Sequence, residues 1–160
     1  MRLREMRQWL VVLGWCMLSS AAAQTGTGAA VASMVLTEGD QPQGYVARIE
    51  AHTRTEIETL MDRAEAVVEK VLDGEKVEPI QFVLHGEEVR LFFRKNYKEN
   101  KALVDRAARL DAFDVIDIKV CETWMRFNDE EKAQLYPFIE TVPYGPAEEK
   151  RLLSEGYLYF

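Results

Sequence analysis

The chain is short of the residues that most often mark a chemical site. It has two cysteines and two histidines in 160 residues. Without ligand spacing they make a weak case for a metal centre, since structural zinc sites gather four such ligands at short intervals. Neither a nucleophile elbow nor an orienting acid for a Cys–His acyl-transfer pair can be identified. Positive charge is also scarce: 20 Lys and Arg stand against 27 Asp and Glu, a net of −7. Such a balance argues against nucleic acid or an anionic membrane surface as partner. Long apolar runs are missing apart from one near the start, and there are no internal repeats.

That one run carries the first positive signal. MRLREMRQ supplies a basic stretch with Arg2, Arg4 and Arg7. WLVVLGWCML follows as a short apolar segment, and SSAAAQ places Ala21 and Ala23 in an A-x-A arrangement before Gln24. This order predicts a secretory signal peptide over residues 1–23, too short for a stable membrane span, and a periplasmic or secreted product. An uncleaved N-terminal anchor is the alternative. Bulky Trp15 ahead of Cys16 disfavours lipoprotein processing. Residues 24–43, QTGTGAAVASMVLTEGDQPQ, read as a linker or loose arm. Residues 44–160 form the expected domain. Without residues 1–23 the balance is 17 basic against 26 acidic, a net of −9. The single remaining cysteine, Cys121, cannot form an internal disulfide. It is either a buried apolar residue or a free thiol with a function.

From Gly44 onward, strand and helix patterns alternate. YVARIEA has period two and reads as a strand. TEIETLMDRAEAVVEKVLDG places Ile57, Leu60, Met61, Ala64, Val67, Val68 and Val71 at helical spacing, with Thr55 and Glu58 as a capping box and Gly74 as the stop. PIQFVLHG is a short strand, EEVRLFFRKN a brief helical piece, NKALVDRAARLDAF a second amphipathic helix, and VIDIKVCE a third strand. DEEKAQLYPF reads as a short helix, IETVP as a fourth strand, GPAEEKRLLSEGY as a last helix with Pro146 near its start, and YLYF as an edge strand. The alternation predicts one α/β domain with a parallel or mostly parallel sheet covered by helices.

In such sheets, ligands gather outside the carboxyl ends of the strands. His85 and Cys121 both fall there. Cys121 stands where a strand gives way to a helix, with Thr123 as a possible cap. A helix N-terminus favours a thiolate, which is the nucleophilic form. Free cysteine is also among the most buried residue types, so a core position is the competing reading. His85, before Gly86, is placed to orient an anion or support Cys121, or else to be satisfied by backbone groups. His52 has less support. Arg90, Arg94 and Lys95 read as a solvated helix face, or as an attractor for an anion. Tyr144, Tyr157, Tyr159 and Phe160 suit core packing or a subunit interface.

FVLHG (Phe82–Gly86), IKVCETWM (Ile118–Met125), LYPFIETVPYG (Leu135–Gly145) and LLSEGYLYF (Leu152–Phe160) together carry a resemblance. In this order and spacing they resemble the DsrE/DsrF family of small sulfur-handling proteins with the YchN-like fold, over nearly the whole of residues 45–160. The resemblance implies a single α/β domain with flavodoxin-related layering and assembly into trimers or hexamers. It also implies a cysteine that carries sulfane sulfur as a persulfide between a donor and an acceptor protein; that cysteine maps onto Cys121, with His85 in support. No cofactor is expected. A non-catalytic oligomeric binding domain of the same fold is the alternative.

Overall fold

The computed structural model describes residues 42–160. The expected signal segment 1–23, with Cys16, and residues 24–41 of the arm lie outside the described residues. In chain order the elements are β1 (Tyr45–Val46), α1 (Arg54–Leu72), β2 (Ile80–Leu84), two 3-10 turns (Glu87–Phe92 and Arg94–Asn96), α2 (Tyr97–Ala112), β3 (Ile116–Cys121), α3 (Glu122–Phe127), a 3-10 turn (Lys132–Gln134), β4 (Ile139–Val142), α4 (Gly145–Ser154) and β5 (Leu158–Tyr159).

All strand pairings are parallel, and the sheet order is β4-β3-β2-β1-β5. The register follows from period two. Ile80, Phe82 and Leu84 lie beside Ile116, Ile118 and Val120 on one face, and Ile118 lies beside Ile139. That face packs against Ile57, Leu60, Met61 and Ala64 of α1 and Leu103, Val104, Ala107 and Leu110 of α2, forming the main core. Each large side chain buried this way contributes about 1.5–3 kcal/mol. The opposite face has a smaller cluster, in which Val46 and Val83 meet Leu152 of α4. The two clusters explain the strand patterns. All five residues of β2 are buried, as in a strand covered on both faces, whereas Asp117 and Lys119 of β3 remain half-buried.

Local chemistry corrects several boundaries. The motif Thr-x-x-Glu occurs twice, and α1 uses the first copy. Thr53 is the N-cap, accepting from the Glu56 N–H at 3.3 Å, while Glu58 binds Arg54. The first strand is only two residues long, Tyr45–Val46. EEVRLFFRKN forms 3-10 turns that bury Val89, Phe92 and Phe93. The segment 128–138 holds only the turn Lys132–Gln134. Glu130, expected at a helix start, is instead drawn inward to bind Arg90 and Lys95. No helix among the described residues is long and apolar enough to cross a membrane.

Candidate functional site

β3 ends at Cys121, and Cys121 is itself the N-cap of α3: its Sγ accepts the Trp124 N–H at 3.4 Å. The sequence suggested Thr123 for this role. The Thr123 hydroxyl and amide instead both donate to the carbonyl of Pro143, at 2.7 and 3.2 Å. Those bonds hold the Pro143–Gly145 segment, which leads into α4, against the first turn of α3. Cys121 is the free cysteine among the described residues, and only 2% of its surface is exposed. Glu122, next in sequence, accepts from the Thr141 hydroxyl on β4 at 2.8 Å.

Gly145 shows how tightly the edge is built. A Cβ at this position would lie 2.7 Å from Cβ of His85 and 3.2 Å from Cβ of Cys121. The glycine is therefore required by space. It brings the end of β2 and the end of β3 together under the start of α4. His85 follows β2, and its Nε2 lies 3.9 Å from a Glu149 carboxylate oxygen on α4.

A second group adjoins the first. The His52 and His85 rings meet edge to face with centroids 4.7 Å apart. His52 Nδ1 lies 2.8 Å from Glu88 Oε2, and Glu88 Oε1 accepts the N–H groups of His85 and Gly86 at 2.8 and 2.9 Å. The Glu88 side chain is completely buried, while His52 keeps 29% of its side chain exposed. His52 has φ 52°, in the left-handed region, which costs a non-glycine residue about 1 kcal/mol or more. The Glu56 carboxylate holds it there by accepting the backbone N–H groups of Glu50, Ala51 and His52. Burial pushes the Glu56 pKa up, and those three donors with the nearby His52 outweigh it, leaving Glu56 below the usual carboxylate range. A Cβ on Gly86 would fall 2.5 Å from His52 Cγ and Nδ1 and 2.7 Å from Glu88 Oε2.

The structure thus brings His85, Cys121 and His52 to one edge. It does not bring the cationic cluster there as a free patch. Arg90 binds Glu87, Asn128 and Glu130 and lies over Trp124, Lys95 binds Glu130, and Arg94 lies over the Tyr136 ring. The aromatic set divides. Phe160 packs on the main core and Tyr157 on the smaller cluster, whereas Tyr144 and Tyr159 are exposed. Sequence reasoning missed Glu88, the Glu149 contact with His85 and the steric role of Gly145. The HGEE run held a signal for Glu88, an acid three residues past His85, but not which acid turned inward. A cavity of about 390 Å³ lies elsewhere, lined by residues that include Tyr45, Arg63, Lys70, Tyr159 and Phe160, and shares no residue with this edge.

Comparison with known proteins places the fold and not the chemistry. No family model and no curated protein matches the chain. The structure is similar to that of the protein of unknown function MTH1491 from Methanobacterium thermoautotrophicum, with a TM-score of 0.54 and 15% sequence identity, over 72% of this chain and 93% of that one. The chain shares with that protein a single α/β fold, here a five-stranded all-parallel sheet flanked by helices.

Proposed function

We propose that the chain is an exported sulfur carrier in which Cys121 accepts sulfane sulfur as a persulfide and passes it to a partner, with His85 in support. The observation that carries this reading is the convergence of Cys121 and His85 on Gly145 at the carboxyl edge of the sheet. In loading, the Cys121 thiolate attacks the outer sulfur of a donor persulfide. A new S–S bond forms, the donor's S–S bond breaks, and the donor leaves as a thiolate. The acceptor's thiolate repeats the exchange on the loaded cysteine. Burial of Cys121 adds a requirement: the Pro143–Gly145 segment must lift. Lifting it breaks its two hydrogen bonds to Thr123, each worth about 0.5–1.5 kcal/mol net. Exposed Phe127 at the end of α3 and Tyr144 just before α4 offer apolar contact to a donor, an acceptor or a second copy in a trimer or hexamer.

One observation favours a second reading. A cysteine that is 2% exposed also suits a binding domain that kept the fold without the chemistry. Intact mass of the purified protein after exposure to a sulfane-sulfur donor separates the two. A gain of one sulfur atom, reversed by reductant and absent from Cys121→Ser, supports the carrier. No gain, with Cys121 inert to a small alkylating agent in the folded state, leaves the binding domain.

A further inference from the structure

The histidine that the sequence favoured least has the most constructed surroundings. His52 lies in the loop after β1, in a left-handed backbone conformation fixed by Glu56. Its ring is fixed separately by Glu88. Glu88 has no surface in water, and its Oε1 is already occupied by two backbone donors. With Glu88 as a carboxylate, which only accepts, the proton in the 2.8 Å contact belongs to His52 Nδ1. Such a bond sets the tautomer: in neutral His52 the lone pair is on Nε2. Nε2 makes no hydrogen bond among the described residues, and the ring is part exposed beside His85. Gly86 has φ −127°, an ordinary value. Its lack of a side chain serves the contact instead, because a Cβ there would collide with both His52 and Glu88. A carboxylate-oriented histidine, a costly backbone angle and a sterically required glycine converge on one ring nitrogen.

We propose that His52 Nε2 is the acid–base group of this edge, acting on the small thiol or persulfide that exchanges sulfur with Cys121, and that Glu88 is its positioning residue. The inference rests on the carrier reading. In loading, imidazolium His52 gives its Nε2 proton to the donor thiolate as the donor's S–S bond breaks. The products are the Cys121 persulfide, a neutral donor thiol and neutral His52. In unloading, neutral His52 takes the proton of the acceptor thiol, whose thiolate then removes the outer sulfur and leaves Cys121 as thiolate. Sulfur, charge and protons balance over the two halves, and no further oxidant or reductant is needed. Glu88 holds the Nδ1 proton in both states, so the exchanged proton is always at Nε2.

The test uses the leaving group. Sulfur loading of Cys121 is timed by intact mass with an alkyl hydropersulfide, whose thiolate leaves poorly, and with an aryl hydropersulfide, whose thiolate leaves without help. His52→Asn suits the comparison, because asparagine tolerates the left-handed backbone and has no titratable nitrogen. Loss of a general acid costs about 100-fold or more with the alkyl donor. With the aryl donor the loss falls to a few-fold. Equal losses with both donors, or none with either, overturn the inference while the carrier reading stands. A wild-type protein that gains sulfur from neither donor overturns both. Nitrogen-15 NMR of the wild-type imidazoles is independent of how the variant folds. Neutral His52 protonated on Nδ1, with Glu88→Gln weakening that preference, is the expected result; neutral His52 protonated on Nε2 overturns the proposal.

Discussion

Gly86→Ala tests the geometry of the edge without reference to sulfur. At an ordinary backbone angle, replacing glycine by alanine stabilises a protein by about 0.4–1 kcal/mol, because the unfolded chain loses freedom. The φ of −127° at Gly86 is such an angle. Space reverses the sign. The new methyl would sit 2.5 Å from two atoms of the His52 ring and 2.7 Å from Glu88 Oε2, where ordinary contact begins at 3.4 Å. The struck ring atoms are those nearest the backbone, and the ring is pinned by Glu88 and by His85. Overpacking of this kind costs about 1–3 kcal/mol. If the ring moves away, the buried Glu88 oxygen loses its partner, at about 1–3 kcal/mol. Set against the alanine gain, either route leaves a net loss of about 1–2 kcal/mol, read as a lower urea midpoint at unchanged slope. His52→Gly should relieve it, since glycine suits φ 52°, so the double variant should recover about 1 kcal/mol or more relative to additivity. A Gly86→Ala protein within about 0.5 kcal/mol of wild type would refute the argument, and with it the contact between His52 and Glu88.

Two carboxylates make predictions of opposite sign. Asp111 lies in the last turn of α2; burial raises its pKa, and Asp117, Asp114 and Glu140 raise it further. Its folded pKa exceeds the unfolded one, so its ionised form works against folding at neutral pH, and the penalty fades as pH falls. Asp111→Asn should raise the unfolding free energy at pH 7 by about 0.3–1 kcal/mol, the scale of an acid at a helix C-terminus, seen as a higher urea midpoint, and should be neutral in acid. An unchanged midpoint at pH 7 would count against it. Glu56, with its lowered pKa, stabilises the fold above the usual carboxylate range, and that stability is lost as pH falls through its folded value. Glu56→Gln should cost about 1 kcal/mol at pH 7, and the gap to wild type should close at low pH; a gap constant with pH would place the effect in packing.

The layers of this fold are legible in the sequence because they follow from period. Ile80, Phe82 and Leu84 alternate, Ile57, Leu60, Met61 and Ala64 recur at helical spacing, and each set lands in the main core. Placement of His85 and Cys121 at strand ends is legible for the same reason. Choices between equal local signals are not. Two overlapping Thr-x-x-Glu motifs offered two starts for α1, and the one used is the one whose glutamate also gathers the amides of Glu50, Ala51 and His52. Glu87 and Glu88 look alike in sequence. One binds Arg90 at the surface and the other is buried, because the turn after Gly86 points only the second toward His52. The contacts that build the edge join residues about 36 and 60 positions apart, beyond any local pattern.

Glu88 also sets how this edge can move. One of its oxygens serves the amides of the loop after β2, and the other serves the ring of the loop after β1. Two loops that share one acceptor do not open separately: freeing either leaves a buried carboxylate short of a donor and loosens the other. Hydrogen exchange at the His85 and Gly86 amides should therefore report the same opening free energy as release of the His52 ring. A molecule that orders one loop orders both, so two segments far apart in the chain respond to a ligand as one cooperative unit.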